Sequence, residues 1–156
     1  MKQDLQEKLF KKYPKLFRQK DLSPQETCMC WGITCGDGWF NILIGLCELI
    51  NNRVNYINKQ IDIDFQKRRS SLVPVTRNYL VCEVVQVKEK FGGLRFYIEG
   101  GDDYILGLIA LAESMSYVVC SSCGNKGMPK KTGWLKTLCD QCYNQQIQKI
   151  DHHNQK

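Results

Sequence analysis

Two Cys-x-x-Cys pairs, Cys120-Ser-Ser-Cys123 and Cys139-Asp-Gln-Cys142, stand fifteen residues apart in the last quarter of the chain. That is the C-x2-C-x15–20-C-x2-C spacing of a zinc ribbon, in which each short turn aims two sulfurs at one tetrahedral ion. Gly124, directly after the first pair, relieves crowding where the backbone folds back over the metal. The expected cofactor is Zn2+ on Cys120, Cys123, Cys139 and Cys142. Four thiolates complete its shell and leave no position for a reactive water, so the role is structural. A redox dithiol is the competing reading, and two pairs at ribbon spacing favour the metal. Lys126, Lys130, Lys131 and Lys136 decorate the intervening loop. Trp134 among them reads as the lid of the ribbon's small core, with base stacking as the alternative. His152 and His153 follow in a polar tail and receive no ligand role.

The other five of the nine cysteines show no framework. Cys28, Cys30 and Cys35 make three candidate ligands with no histidine nearby, and read as buried thiols. An odd count, together with a charged start that lacks the apolar core of a secretion signal, points to reduced thiols and a cytoplasmic setting. No stretch is apolar for long enough to predict a membrane-spanning helix. At 156 residues the chain supports one ordinary core with a small appendage. The division expected is 1–118 for the core and 119–156 for the ribbon and tail. The formal charge of +6, falling to about +4 once four thiolates surround a dication, favours an anionic partner without specifying it.

Leu5, Leu9 and Phe10 fall at near-helical spacing in a lysine-rich opening segment that Pro14 interrupts. Its charge is that of a solvated helix face covering the core, with nucleic-acid contact as the alternative. Asp37 stands where it can cap a long helix that begins near Trp39 and ends near 59–64, carrying Ile42, Leu43, Leu46, Cys47, Leu49, Ile50, Val54 and Ile57. Residues 66–78, with Lys67, Arg68, Arg69 and Arg77, read as a basic connector. Asp102 can cap a second helix bearing Ile105, Leu108, Ile109, Ala112 and Met115. Between the helices, strands at 79–88 and 94–98 flank a glycine turn. Strict alternation puts Leu94, Phe96 and Ile98 on one face and Arg95, Tyr97 and Glu99 on the other. In the preceding strand it groups Val81, Glu83, Val85 and Val87 against Cys82, Val84, Gln86 and Lys88. The fold class is α+β: two main helices packed on a small antiparallel hairpin or sheet, followed by the zinc ribbon.

The turn itself, Phe91-Gly92-Gly93, is bracketed by Lys88, Lys90 and Arg95. Consecutive amides in a glycine turn can form an anion-binding concavity, Arg95 offers a planar fork for phosphate, and Phe91 or Tyr97 can stack on a base. The candidate ligand site is therefore Lys88, Lys90, Phe91, Gly92, Gly93, Arg95 and Tyr97, and an ordinary exposed hairpin tip is the alternative. A metal-dependent nuclease built on Glu83, Gln86 and Lys88, with oxygens from Asp62, Asp64, Asp102 and Asp103, is a weaker reading because alternation turns Glu83 away from the other two.

GDGW at 36–39, VKEKFGGLRFY at 87–97 and the terminal CxxCG…GW…TLCDxC resemble a family of small bacteriophage proteins, over roughly residues 29–143. The resemblance implies phage origin and a host-cell cytoplasm; it implies no catalytic residue. The expectation is a non-enzymatic protein that captures a phosphate-bearing ligand, a nucleotide signal or nucleic acid, in a role against host defence. A ribbon that docks onto a host protein is the second expectation. The long helix is a candidate seam for a homo-oligomer.

Overall fold

Residues 1–67 and 76–154, without the side chains of 151–154, are described by the computed structural model as four helices and two small sheets. Arg68 and Arg69 of the expected basic connector, and the side chains of His152 and His153, lie outside the described residues. In chain order the elements are α1 (Gln3–Lys12), β1 (Ile33–Thr34), α2 (Phe40–Lys67), β2 (Cys82–Lys90), β3 (Gly93–Gly100), α3 (Asp103–Ser116), β4 (Met128–Thr132), β5 (Trp134–Leu138) and α4 (Asp140–Asn154). The α+β class holds, with α2 and α3 as the main helices. Helix α4 occupies what the sequence read as a polar tail, and it starts between the two cysteines of the second pair.

The first sheet has the order β1-β2-β3. Strands β2 and β3 pair antiparallel, and β1 adds a short parallel pairing, Ile33 to Val87 and Thr34 to Lys88. Helices α2 and α3 close one face through Leu43, Leu46, Cys47, Ile50, Ile105, Ile109 and Ala112. These meet Cys82, Val84, Val87, Leu94 and Phe96 from the strands. The N-terminal segment contributes Leu9, Tyr13, Leu16 and Phe17 to the same core, while the lysines Lys8, Lys11, Lys12 and Lys15 stay exposed. Of these buried residues Leu9 belongs to α1 and the others follow it.

Asp102 caps α3 as expected, accepting from Ile105 N at 3.1 Å. Its second oxygen takes Arg53 Nε and Nη2, both at 2.9 Å, which ties α3 to α2. Asp37 behaves differently. It caps nothing and instead accepts from Lys2 N at 2.7 Å, because a donor distant in sequence reaches it first. Helix α2 also outruns its expected end, continuing to Lys67, although none of its residues past Ile50 is fully buried.

Strict alternation fails in β2. The ladder steps from Val84 opposite Ile98 to Gln86 opposite Tyr97, so Val85 is an extra, bulged residue. Without it Val84 and Val87 would point to opposite faces; with it both are fully buried. The same bulge turns Glu83, Gln86 and Lys88 to one outward face, correcting the assignment that separated Glu83 from the other two. Strand β3 follows its expected pattern, with Leu94 and Phe96 inside and Tyr97 and Glu99 outside.

The edge strand β3 and the part of β2 that β1 leaves uncovered are both blunted. On β3, Leu94 N donates to Ser116 Oγ at 2.8 Å and Phe96 N to Glu113 Oε1 at 3.0 Å, so α3 side chains occupy donors that another chain's strand would seek. On β2, Val84 N donates to Leu16 O at 2.7 Å, and Val85 O accepts from Thr27 Oγ1 at 3.2 Å.

Candidate metal centre

The four cysteine sulfurs of the two pairs converge, all within 4.8 Å of one another. A tetrahedral ion with sulfur at about 2.3 Å needs sulfurs about 3.8 Å apart, and Cys123 and Cys139 Sγ are 3.7 Å apart. Cys120, Cys123, Cys139 and Cys142 can therefore hold a metal ion. They are the one group of three or more Cys, His, Asp or Glu residues so arranged among the described residues. The backbone prepares the donors. Burial opposes ionisation of Cys120, yet N–H groups of Cys139, Cys123 and Ser122 act on its sulfur and bring its pKa down to about 7. Burial and neighbouring thiols push Cys142 up. Cys142 N donates to Cys139 Sγ at 3.4 Å, and Gly124 takes the positive φ of 82° that closes the first knuckle.

The first knuckle is clamped by residues 36–39. Gly38 N donates to Ser121 O at 2.9 Å, and the Trp39 indole N–H donates to Val119 O at 2.8 Å. Trp39 is fully buried. A Cβ on Gly36 would lie 1.9 Å from Ser121 O, and one on Gly38 2.2 Å from Cys120 O. Glycine is required because two stretches of backbone touch. GDGW is thus a docking surface for the metal knuckle, a role its spacing did not reveal.

The second weld is the hairpin turn. Phe91 and Gly92 both have positive φ, 53° and 78°, the type I′ geometry that suits strand twist. Gly92 O accepts from Thr137 Oγ1 of β5 at 2.7 Å, and a Cβ on Gly92 would sit 3.3 Å from Leu135 Cγ. The expected amide cradle is not formed. Gly92 N donates to Glu89 Oε1 at 2.8 Å, Gly93 pairs with Lys90 in the ladder, and Leu94 N is held by Ser116. Arg95 donates to Leu94 O at 2.6 Å and to Tyr117 Oη at 2.9 Å. The turn amides and two of the five N–H groups of Arg95 are used internally.

The seven expected ligand residues divide accordingly. Lys88, Arg95 and Tyr97 lie on the outward face of β2–β3, with the Lys88 ammonium over the Tyr97 ring at 5.4 Å. Gly92 and Gly93 are buried. Lys90 and Phe91 project at the tip, where they meet residues that lie far from them in the sequence. Glu89, Lys90 and Phe91 line a hollow of about 370 Å3 together with Trp134, Leu135 and Lys136 from the ribbon's own tip. Phe91 is 68 % exposed and Trp134 82 %. Trp134 is therefore no lid: the β4–β5 turn is a single Gly133, and Leu138 and Cys120 fill the ribbon interior instead.

The remaining expectations sort by burial and pairing. Cys35 is buried, and desolvation raises its thiol to about 12; Cys28 is exposed and Cys30 half-buried, so the buried-thiol reading holds for one of three. The nuclease carboxylates do not assemble. Glu83 pairs with Arg18 at 3.1 Å, Asp62 accepts from Tyr79 at 2.5 Å, and Asp102 is a helix cap. None of the described helices is long and apolar enough to cross a membrane. Comparison of the chain with protein families, with curated proteins and with solved structures found no match.

Proposed function

We propose that this protein is a non-enzymatic binder of single-stranded nucleic acid or a nucleotide, held in the hollow between its two hairpin tips, and that the ion on its four cysteines is zinc. One observation carries the ligand reading: two large exposed aromatic side chains, Phe91 and Trp134, line one hollow together with Lys90 and Lys136. Exposed aromatic faces stack on bases, and lysines track phosphates. Phe91 is moreover the one non-glycine residue with positive φ among the described residues. A side chain held in that region costs about 1–2 kcal/mol, a strain that a binding role at the tip gives reason to retain. The resemblance to small phage proteins extends the proposal to a phosphate-bearing signal or nucleic acid in an infected host.

Titration of labelled oligonucleotides, mononucleotides and cyclic dinucleotides tests this. Trp134→Ala and Phe91→Ala are each expected to weaken binding by about 1–3 kcal/mol, roughly 5- to 150-fold. Neutralising Lys90 and Lys136 together should flatten the dependence of log affinity on log salt by about 0.7 for each phosphate no longer neutralised. Absence of binding to all three ligand classes at micromolar concentration refutes the proposal. Trp134 beside Leu135 also favours a second reading, a protein partner anchored on an aromatic residue. A host protein captured by the native chain and released by Trp134→Ala, without any oligonucleotide binding, selects it.

A further inference from the structure

The outward face of β2–β3 is charged in an unusual order. Glu83 stands directly opposite Glu99 at one end, and Lys88 directly opposite Arg95 at the other. Like charges facing each other across a ladder destabilise it, and this hairpin carries two such pairs of opposite sign. Their compensation within the chain is incomplete. Among the described residues Lys88 and Arg95 have no carboxylate within 4.0 Å and Glu99 has no cation, though Glu83 has Arg18. The Gln19 side-chain amide holds the acidic pair together, donating to Glu99 at 3.0 Å and to Glu83 at 3.4 Å.

The spacing is symmetric. On β3, Tyr97 is the midpoint, with Arg95 and Glu99 two residues to either side on the same face, about 6.8 Å each way. The bulge at Val85 brings Glu83, Gln86 and Lys88 onto that face as well, with Gln86 opposite Tyr97. Tyr97 is 41 % exposed. At the acidic end a groove of about 680 Å3 opens beside it, lined by Leu22, Val85, Ile98 and Glu99 among others.

We propose that this face joins two copies of the chain in a two-fold dimer. An axis lying in the interface and crossing the strands at the level of Gln86 and Tyr97 reverses strand direction, so each end of one hairpin meets the opposite end of the other. Arg95 then faces the partner's Glu99, Lys88 faces the partner's Glu83, and the two Tyr97 rings meet at the centre. An isologous contact of this kind needs a patch complementary to itself, and a midpoint aromatic with opposite charges equidistant from it supplies one. A two-stranded face is small, at or below the 1,200 Å2 or so that marks weak, transient contacts. Dissociation is therefore expected in the micromolar range. None of the charged residues involved lines the hollow between the tips, so the dimer stands independently of the ligand reading.

Sedimentation of the full metal-loaded chain tests it. The native protein is expected to show a reversible monomer–dimer equilibrium that weakens with salt. The Lys88→Glu/Arg95→Glu and Glu83→Lys/Glu99→Lys double variants are each expected to dissociate at least tenfold more readily, and an equimolar mixture of the two should associate again, since each then faces its complement. Should a double variant fail to fold by circular dichroism, Arg95→Glu mixed with Glu99→Lys carries the same test. Three results overturn the proposal: a native chain that stays monomeric to hundreds of micromolar, a dimer indifferent to both reversals, or folded variants that do not associate when mixed. The second would place the contact elsewhere, as on the apolar cleft between α2 and α3 lined by Leu49, Leu111 and Met115.

Discussion

Removing the proposed zinc ion with a chelator, or replacing Cys139 with Ser, is expected to melt the core together with the ribbon. The reason is the way the knuckle is used. The Ser121 carbonyl seats Gly38, the Val119 carbonyl holds the fully buried Trp39, and β5 holds the hairpin turn through Thr137 and Leu135. With no ion, up to four thiol or thiolate groups crowd within 4.8 Å, and the knuckle has only its own short turns to keep it in place. A structural zinc site contributes on the order of 10–16 kcal/mol of apparent binding free energy at neutral pH, comparable with the whole stability of a typical domain, about 5–15 kcal/mol. Loss of even about 4 kcal/mol lowers the melting temperature of a chain this size by roughly 8–16 °C. The expected result is a single transition displaced downward by at least that much, accompanied by quencher access to Trp39. Trp31 and Trp134 are exposed at the start, so a background with both changed to Phe isolates the buried indole. Two separate transitions, the upper one unmoved and Trp39 still protected, would show that the ribbon is an independent appendage.

That coupling was only half legible in the sequence. Cys spacing identifies the four residues able to hold a metal ion because coordination geometry constrains a few residues close together in the chain. Asp102 was legible for the same reason, since a cap acts within three residues, and so was the alternation of Leu94, Phe96, Arg95, Tyr97 and Glu99 in an unbroken strand. The bulge at Val85 was not, because no glycine or proline marks it. It exists to bury both Val84 and Val87, a demand set by the helices across the core. The turn amides looked free because their acceptors are Glu89, folded back from the same strand, and Ser116, brought in by α3. Asp37 looked like a cap because Lys2 is thirty-five residues away. Trp134 looked like core because aromatic residues usually are; a one-residue turn at Gly133 leaves its ring no interior to enter. The bulge answers to the core across from it and the other differences to which partner reaches a polar or aromatic group first; both are decided by tertiary placement.

Two glycines seven residues apart should respond in opposite directions to the same added methyl group. At Gly38 a Cβ would lie 2.2 Å from Cys120 O, 2.4 Å from Gly124 N and 2.8 Å from Cys123 N. All three are backbone atoms of the metal knuckle, so no flexible side chain can swing aside. The knuckle must withdraw from α2 and give up the hydrogen bonds from Gly38 N and the Trp39 indole. Overpacking a tight contact costs about 1–3 kcal/mol where neighbours can adjust; here they are held by the cysteine turns, and Gly38→Ala is expected to cost at least about 3 kcal/mol. Because the strain falls on Cys120 and Cys123, it should also weaken retention of the ion in competition with a chromogenic chelator. Gly45 lies in α2 with nothing within 4 Å of a Cβ. Gly45→Ala should therefore stabilise the protein by up to about 1 kcal/mol through helix propensity alone, and leave metal retention untouched. Denaturant unfolding of both variants, read beside the chelator competition, separates the effects. Equal stability of the two, or a Gly38→Ala protein that keeps its ion as firmly as the native chain, would mean that the knuckle does not bear on the helix as the backbone contacts indicate.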